Sequence, residues 1–283
     1  MEISLSELKK ELLEKTQNIY SDNEAKTIFV WLIEHYLHAT SKDFLMDKRV
    51  CIATDTFLKY QKAISRLIHG EPIQYILGYT EFFNCRIQVN KDVLIPRPET
   101  EVLVDWVVSD VQQMHVSDDL RITDLGTGSG CIAIALASQL QNPVSAIDVS
   151  PDAIKLARKN AASNQVNIGL QELDLEHLYD MKGRPDIIVS NPPYVMTIEK
   201  EQLETNVTDH EPHIALFVED PLYFYELIFK YVKRHKKVKY VYLELNHLTA
   251  DQVAGLFRSM DHDGCQIRKD MRGYKRYLKW YRK

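Results

Sequence analysis

At 283 residues, with 45% apolar and 27% charged side chains, the chain has the length for one large or two ordinary domains around a buried core. No apolar run approaches the roughly 20 residues of a membrane span, and Met1 to Leu13 is charged and amphipathic, unlike a signal peptide, so the cytoplasm is the expected compartment and no membrane partner is expected. A net charge of −5 argues against a protein whose main task is gripping phosphate backbones, while four scattered cysteines and ten unclustered histidines argue against disulfides and against a metal site.

Residues 1–70 read as a small helical bundle. Ser4 and Glu7 form a capping box, after which Leu5, Leu8 and Leu12 recur at helical spacing. A second helix follows Asp22 with Ile28, Phe29, Leu32, Ile33 and Tyr36 on one face, and a short one lies near Asp43 to Asp47. A helix from Thr54 is expected to bury Phe57, Leu58, Ile64, Leu67 and Ile68 and to stop at Gly70. Residues 71–97 read as a linker and a β-hairpin: Pro72 to Gly78 connects, and Tyr79 to Ile95 alternates, with its turn expected at Asn90-Lys91-Asp92.

Residues 98–283 alternate strands and helices, which specifies an α/β fold with a mostly parallel sheet. Pro98 opens a helix whose Leu103, Trp106 and Val107 face a core. Strands are expected at Arg121 to Leu125, Val144 to Asp148, Ile168 to Leu173, Asp186 to Ser190 and Lys239 to Leu245, with a final pair near Cys265 to Lys269 and Tyr274 to Trp280. Helices follow Gly130, Ser150, Pro221 and Thr249; Ser150-Pro151 is a cap with an N1 proline, and Thr249 with Gln252 reads as a second capping box. The basic, aromatic segment Arg268 to Lys283 reads as a protected edge strand in preference to a nucleic-acid patch.

The chemistry concentrates at strand ends. Three of the ten glycines fall in Gly126-Thr127-Gly128-Ser129-Gly130, directly after the first parallel strand, where a turn permits close backbone approach to a ligand. The spacing is neither that of a phosphate loop nor that of a dinucleotide fingerprint. Asp148 ends the second strand, where a carboxylate can accept both hydroxyls of a ribose, and the set fits a nucleoside better than a dinucleotide. Asp174 ends the third strand and reads either as a helix cap or as an acceptor for an exocyclic N–H. After the fourth strand comes Ser190-Asn191-Pro192-Pro193-Tyr194. An amide with donor and acceptor in one plane, two rigid prolines and a flat ring can hold a planar nitrogen.

Taken in that order, the glycine-rich turn, the acidic strand end and Asn-Pro-Pro-Tyr resemble a class I S-adenosylmethionine methyltransferase acting on a planar nitrogen. Pro72 to Gly78, Ile95 to Glu101 and Glu211-Pro212-His213-Ile214-Ala215-Leu216 narrow the resemblance to the family that methylates the glutamine of the Gly-Gly-Gln motif in peptide chain release factors, at the side-chain amide nitrogen N5. The resemblance implies a Rossmann-like sheet of seven strands with an antiparallel last strand. It implies S-adenosyl-L-methionine on Gly126, Thr127, Gly128, Ser129, Gly130, Asp148, Asp174, Leu175 and Asn191, with S-adenosyl-L-homocysteine as product. The substrate glutamine would lie against Asn191, Pro192, Pro193 and Tyr194, with Asn191, Pro192 and Tyr194 carrying the catalysis. Val218-Glu219-Asp220 and Glu244-Leu245-Asn246 depart from the family's usual Asp-Gly-Leu and Glu-Ile-Gly.

An amide nitrogen is a poor nucleophile because its lone pair is delocalised, a conjugation that sustains a rotation barrier of about 18–20 kcal/mol in peptides. If the Asn191 side-chain oxygen and the Pro192 carbonyl accept its two N–H bonds, they align it and favour the positive charge that develops. No general base is then required beforehand. The rival readings are an adenine-N6 methyltransferase on DNA or RNA, which needs a basic surface for its flipped-base substrate, and a non-catalytic nucleoside-binding or ribosome-associated scaffold. The expected partner is a release factor, bound by a monomer without direct nucleic-acid contact, and the bundle of residues 1–70 is expected to dock its body.

Overall fold

A computed structural model describes residues 2–114, 120–202 and 205–283, which form two compact units: Met1–Gly78 with Thr205–His210, and Tyr79–Glu204 with Glu211–Lys283. The first unit begins with β1 (Glu2–Ser4) and α1 (Leu5–Thr16), where the capping box forms: the Glu7 N–H donates to Ser4 Oγ and the Ser4 N–H to Glu7 Oε2. Then come α2 (Asp22–Leu37), α3 (Ser41–Leu45), β2 (Arg49–Cys51), α4 (Thr54–Ile68) and α5 (Ile73–Leu77). β1 and β2 pair antiparallel, three residues each, too short for alternation to announce them.

The buried stripe of α4 differs from the expected one. Leu58 is 60% and Ile68 39% exposed, whereas Tyr60, Ala63, Ile64 and Leu67 are buried. Those four follow the i, i+3, i+4, i+7 spacing of a single helix face, and Tyr60 belongs to it because its hydroxyl reaches the Leu8 carbonyl at 3.5 Å. Gly70 follows the helix with a φ of +78°, as a left-handed helix stop requires. In the stretch read as linker, α5 buries Ile73 and Ile76 in the same core as Leu5, Leu32 and Leu67.

The second unit opens with a hairpin of β3 (Tyr79–Phe82) and β4 (Cys85–Gln88). Its turn is Phe83-Asn84, not Asn90-Lys91-Asp92; both residues have positive φ, 48° and 61°, the geometry that suits the twist of a two-residue hairpin. Phe83 hides that signal, since a bulky residue seldom adopts it. Asn90 instead makes a local turn beyond the strand by accepting the Asp92 N–H on its side chain at 3.1 Å.

Then follow α6 (Pro98–Gln113), β5 (Ile122–Leu125), α7 (Cys131–Gln139), β6 (Val144–Asp148), α8 (Pro151–Ser163), β7 (Gly169–Glu172), β8 (Ile187–Ser190), β9 (Val195–Met196), α9 (Thr205–His210, grouped with the first unit), β10 (Phe217–Val218), α10 (Tyr223–Arg234), β11 (Tyr240–Glu244), α11 (Ala250–Arg258), β12 (Cys265–Lys269) and β13 (Lys275–Tyr281). Seven of the strands form one sheet in the order β12-β13-β11-β8-β5-β6-β7, in which only β13 runs against its neighbours. β13 therefore lies inside the sheet and β12 is the edge. Tyr277, Leu278 and Trp280 are fully buried, and Lys279 reaches Asp110 at 2.7 Å, so the basic and aromatic alternation belongs to a covered strand with a paired lysine. The expected Thr249–Gln252 capping box is absent: Thr249 is buried and its hydroxyl turns back to the Asn246 carbonyl at 3.4 Å.

The chain lays β5, β6 and β7 outward in one direction and then places β8 on the other side of β5. That reversal opens a crevice beyond the carboxyl ends of β5 and β8, the position where open α/β sheets receive ligands. The buried Asn160 of α8 fastens the elements beside it: its Nδ2 donates to the Gln88 carbonyl at 2.9 Å and the Ser129 carbonyl at 2.8 Å, and its Oδ1 accepts the Gln88 N–H at 2.8 Å. Asn160→Ala leaves these backbone groups without partners, so denaturant unfolding should show a loss of roughly 1–3 kcal/mol or more. An unchanged midpoint would mean that water replaces the amide.

Candidate functional site

Beyond the carboxyl ends of β5, β6 and β8 lies a cavity of about 230 Å³. Its walls include Gly126, Thr127, Gly128, Ser129, Asp148, Asp174, Leu175, Asn191 and Pro193, so residues from four separate loops meet there. Thr100, Arg97 and Ile214 also line it, from two segments that the sequence singled out without giving them roles. Gly130, Pro192 and Tyr194 are not part of the lining.

The glycine-rich turn is held by the strands on either side. The Gly126 and Thr127 N–H groups both donate to the Ile147 carbonyl, at 3.0 and 2.9 Å, and the Gly128 N–H donates to Asp148 Oδ2 at 2.7 Å. Gly130 has a φ of +84°, and a Cβ there would sit 3.0 Å from that of Ala157; α7 can start this close to α8 only at a glycine. Asp148 Oδ1 accepts the Ser150 N–H at 2.9 Å, so each carboxylate oxygen is aimed by one backbone bond and retains lone pairs for a ligand. Burial pushes this carboxyl above the usual range while the Ser150 and Gly128 N–H groups pull it down. Asp174 Oδ1 accepts the Glu176 N–H at 2.9 Å and caps the short turn Leu175–Asp180; the cap does not preclude a ligand contact, since Asp174 also lines the cavity.

On the opposite wall, β8 ends at Ser190, whose hydroxyl donates to the Leu125 carbonyl at 2.7 Å. Asn191 follows with its Nδ2 3.1 Å from Thr100 Oγ1, and Thr100 donates in turn to Glu244 Oε2 at 2.7 Å. Pro192 is buried and Pro193 half-buried. Tyr194 is half-buried against the core, and its hydroxyl donates to Glu244 Oε1 at 2.9 Å. Burial first, and the Glu244 charge second, push the Tyr194 phenol well above its ordinary range, which keeps it a donor. Glu244 itself is buried and pushed up by desolvation, against the pull of Thr100 and Tyr194. Thr100 and Glu244 are the partners that the sequence reading missed. The signal available was a carboxylate at the end of a core strand, where an apolar residue would be the ordinary choice.

A second buried link joins the remaining segments. Glu211 accepts from Arg97 Nη2 at 2.5 Å and from the Ile95 N–H at 3.2 Å, which fastens the loop before α6 to Glu211–Leu216 at the cavity wall. Among the described residues no group of His, Cys, Asp and Glu is placed to hold a metal ion, and no helix is long and apolar enough to cross a membrane. The Ser129 hydroxyl is buried at the cavity wall, where among the described residues only the Cys131 thiol engages it. Together with Asp148, this is a donor and acceptor set suited to a nucleoside carrying a polar tail.

The chain resembles known proteins along most of its length. Residues 9–78 match the family model described as the PrmC N-terminal domain, and residues 105–210 match that of the methyltransferase small domain. A release factor glutamine methyltransferase of Flavobacterium psychrophilum is 37% identical over 266 residues, covering 93% of either chain. One of Bacteroides thetaiotaomicron is 36% identical, covering 93% of this chain and 94% of its own. Among solved structures, the human methyltransferase 10 domain containing protein shares the fold at a TM-score of 0.52 and 19% identity, covering 70% of this chain and 90% of its own.

Asp124 gives the site a measurable electrostatic signature. The side chain is fully buried, Thr127 Oγ1 donates to Oδ2 at 2.5 Å, and desolvation pushes the carboxyl up to about 7 against the pull of Thr127 and the Ala133 N–H. A carboxyl raised in the folded state binds its proton more tightly there than in the unfolded chain, so its contribution to stability falls as pH rises from about 4 to about 7. The uncharged, isosteric Asp124→Asn should therefore gain stability relative to the parent between pH 5 and pH 8, by an amount on the order of a few kcal/mol. Thermal melts at both pH values check this; a constant difference would show that Asp124 is charged throughout.

Proposed function

Because the chain belongs to the family of release factor glutamine methyltransferases, we propose that it transfers the methyl group of S-adenosyl-L-methionine to the side-chain N5 of the glutamine in the Gly-Gly-Gln motif of a peptide chain release factor. One observation carries the reading of the site: Asn191, beside the glycine-rich turn, is held through its Nδ2, and its Oδ1 makes no hydrogen bond among the described residues. S-adenosyl-L-methionine supplies an electrophilic sulfonium methyl and leaves as S-adenosyl-L-homocysteine. The Gly126–Gly130 turn allows close approach, Ser129 supplies a hydroxyl, Asp148 accepts ribose hydroxyls, and Asp174 and Leu175 flank the base.

The substrate amide rests between Asn191 and Pro193 with Tyr194 behind them. Asn191 Oδ1 and the Pro192 carbonyl accept its two N–H bonds, which aligns the nitrogen and opposes the charge it gains as the new bond forms. Proline contributes twice, since it has no N–H to compete for those acceptors and it fixes φ. The excess proton passes to solvent afterwards, so no side-chain base is needed. Of the two rivals, the adenine-N6 reading draws no support from the names of these relatives, and the intact site weighs against a scaffold. We place the reaction in the cytoplasm and on a monomer.

Mass spectrometry of a release factor incubated with the protein and cofactor should place a single methyl on that glutamine. Equal labelling of a Gln→Ala release factor would sink the assignment. Asp148→Ala should weaken cofactor binding in calorimetry, whereas Asn191→Ala should mainly lower kcat; unchanged cofactor affinity in the first would take Asp148 out of the site.

A planar amide is the same on every glutamine, so choosing one requires surface away from the chemistry. We assign that role to the helical unit. Truncation at Pro72 would tear α5 from its core, so point changes in the full chain test it better. Leu45 and Met46, adjacent at the end of α3, are 82% and 73% exposed, an apolar pair suited to a protein partner. Replacing both with Asp should raise KM for release factor roughly tenfold, equivalent to about 1.4 kcal/mol, with cofactor affinity unchanged. An unaltered KM would move the docking surface elsewhere.

A further inference from the structure

An asparagine amide can be turned either way, and the two orientations have opposite chemistry. Facing a substrate amide with oxygen accepts its N–H; facing it with NH₂ repels it. What sets the orientation of Asn191 is a chain of hydrogen bonds that begins 53 residues away, in a different strand of the sheet. Glu244 ends β11 and is buried, 2% exposed. As a carboxylate it has acceptors only. Its Oε2 therefore takes the single proton of the Thr100 hydroxyl, at 2.7 Å. Thr100 Oγ1 has only lone pairs left, and the group 3.1 Å from it on Asn191 must be a donor, Nδ2. Asn191 Oδ1 is left over, on a residue that lines the cavity.

The other oxygen of the same carboxylate accepts the Tyr194 hydroxyl at 2.9 Å. One side chain thus grips both ends of the Asn191 to Tyr194 turn. Its own backbone is fixed as well, because the Tyr225 hydroxyl donates to the Glu244 carbonyl at 2.9 Å. Nearby Arg276 is engaged by the Leu245 carbonyl and by Asp270, and among the described residues Glu244 has no ion pair. A buried carboxylate with no direct ion pair, helped only by hydrogen bonds and the field of Arg276, is unfavourable for stability, and an apolar residue would serve a purely structural strand end better.

We propose that Glu244 is a positioning residue that sets the amide polarity of Asn191 through Thr100, while its second oxygen clamps Tyr194, so that the substrate nitrogen always meets an oxygen. This rests on the glutamine-methylating reading for its consequence in turnover, but not for its geometry. In Glu244→Gln only the amide oxygen can still accept, so one of the two acceptor roles is kept and the NH₂ replaces the other with a donor. If Tyr194 retains its acceptor, the NH₂ donates to Thr100, whose proton then turns to Asn191 and reverses the amide.

The test uses the full chain and three variants, Glu244→Gln, Thr100→Val and Thr100→Ser. Methyl transfer to release factor should fall about 100-fold in kcat for Glu244→Gln and for Thr100→Val, with calorimetric affinity for S-adenosyl-L-methionine falling far less. Thr100→Ser, which restores the hydroxyl, should keep kcat close to that of the parent. The Glu244→Gln, Thr100→Val double variant should be no worse than the weaker of the two single ones, because both break one relay. Independently of any substrate, nuclear magnetic resonance of asparagine-labelled protein should show a slowly exchanging Asn191 side-chain NH₂, identified by its loss in Asn191→Ala, and fast exchange in Thr100→Val. Full activity in Thr100→Val, multiplied losses in the double variant, or unchanged exchange would each overturn the proposal. Should Glu244→Gln fail to fold, the two Thr100 variants and the exchange measurement decide the matter. If the parent transfers no methyl to glutamine, the functional reading fails, while the exchange result still judges the relay.

Discussion

The pairing of β5 with β8, which sets Leu125 opposite Ser190, is the constraint on which the site depends. Those two residues are 65 positions apart, and Ser190 seals the register by donating its hydroxyl to the Leu125 carbonyl. A slip of one residue would turn every side chain of β8 to the other face and carry Asn191 away from the glycine turn. Because parallel neighbours need crossovers, the turn after β5 and the turn after β8 each lead into separate structure, and neither can drift without dragging a packed element. The close approach of Gly130 to Ala157 fixes one side of the cavity. The tie from Asn191 through Thr100 to Glu244 fixes the other.

Three carboxylates, Asp124, Asp148 and Glu244, sit at the ends of neighbouring or nearby parallel strands, and desolvation pushes all three upward. They are not equivalent. Asp148 has a backbone N–H on each oxygen and opens on the cavity, so it stays available as an acceptor for a polar ligand. Glu244 has a hydroxyl on each oxygen and does not line the cavity, so its charge is spent on orienting neighbours. Asp124 has a side-chain donor on one oxygen only, and is the member most easily neutralised. This placement makes the strand ends locally unfavourable for folding and polar enough for chemistry, the usual trade at a functional site.

What could be read from the sequence was what lies close along the chain. Ser4 with Glu7, Ser150 with Pro151 and the glycine turn are signals within a few residues, and each forms a local structure whatever surrounds it. The errors have tertiary causes. Tyr60 displaces Leu58 from the buried face because a distant carbonyl accepts its hydroxyl, and Phe83 accepts a positive φ because the hairpin around it is held from outside, by Asn160 and Asn164 of the α8 region. Thr249 gives up its cap to Asn246. The Thr100–Glu244 bond spans 144 residues; the carboxylate ending a core strand marks one end of it, and nothing near either residue names the partner. Thus the loops carrying the site were legible, and the side chains that orient them were not.

The departure at Glu244-Leu245-Asn246 supplies a second hold on the same turn. Where the resemblance leads one to expect a glycine, Asn246 is buried and uses all of its side chain: Nδ2 donates to the Tyr194 carbonyl at 3.1 Å and lies 3.4 Å from Glu199, and Oδ1 accepts the Leu248 N–H at 3.0 Å. Asparagine tolerates turn geometry nearly as glycine does and adds a hydrogen-bonding arm. That arm reaches the same residue, Tyr194, that Glu244 holds by its hydroxyl. The asparagine thus clamps the backbone of the turn, while the Glu244 carboxylate is engaged by Thr100 and the phenol.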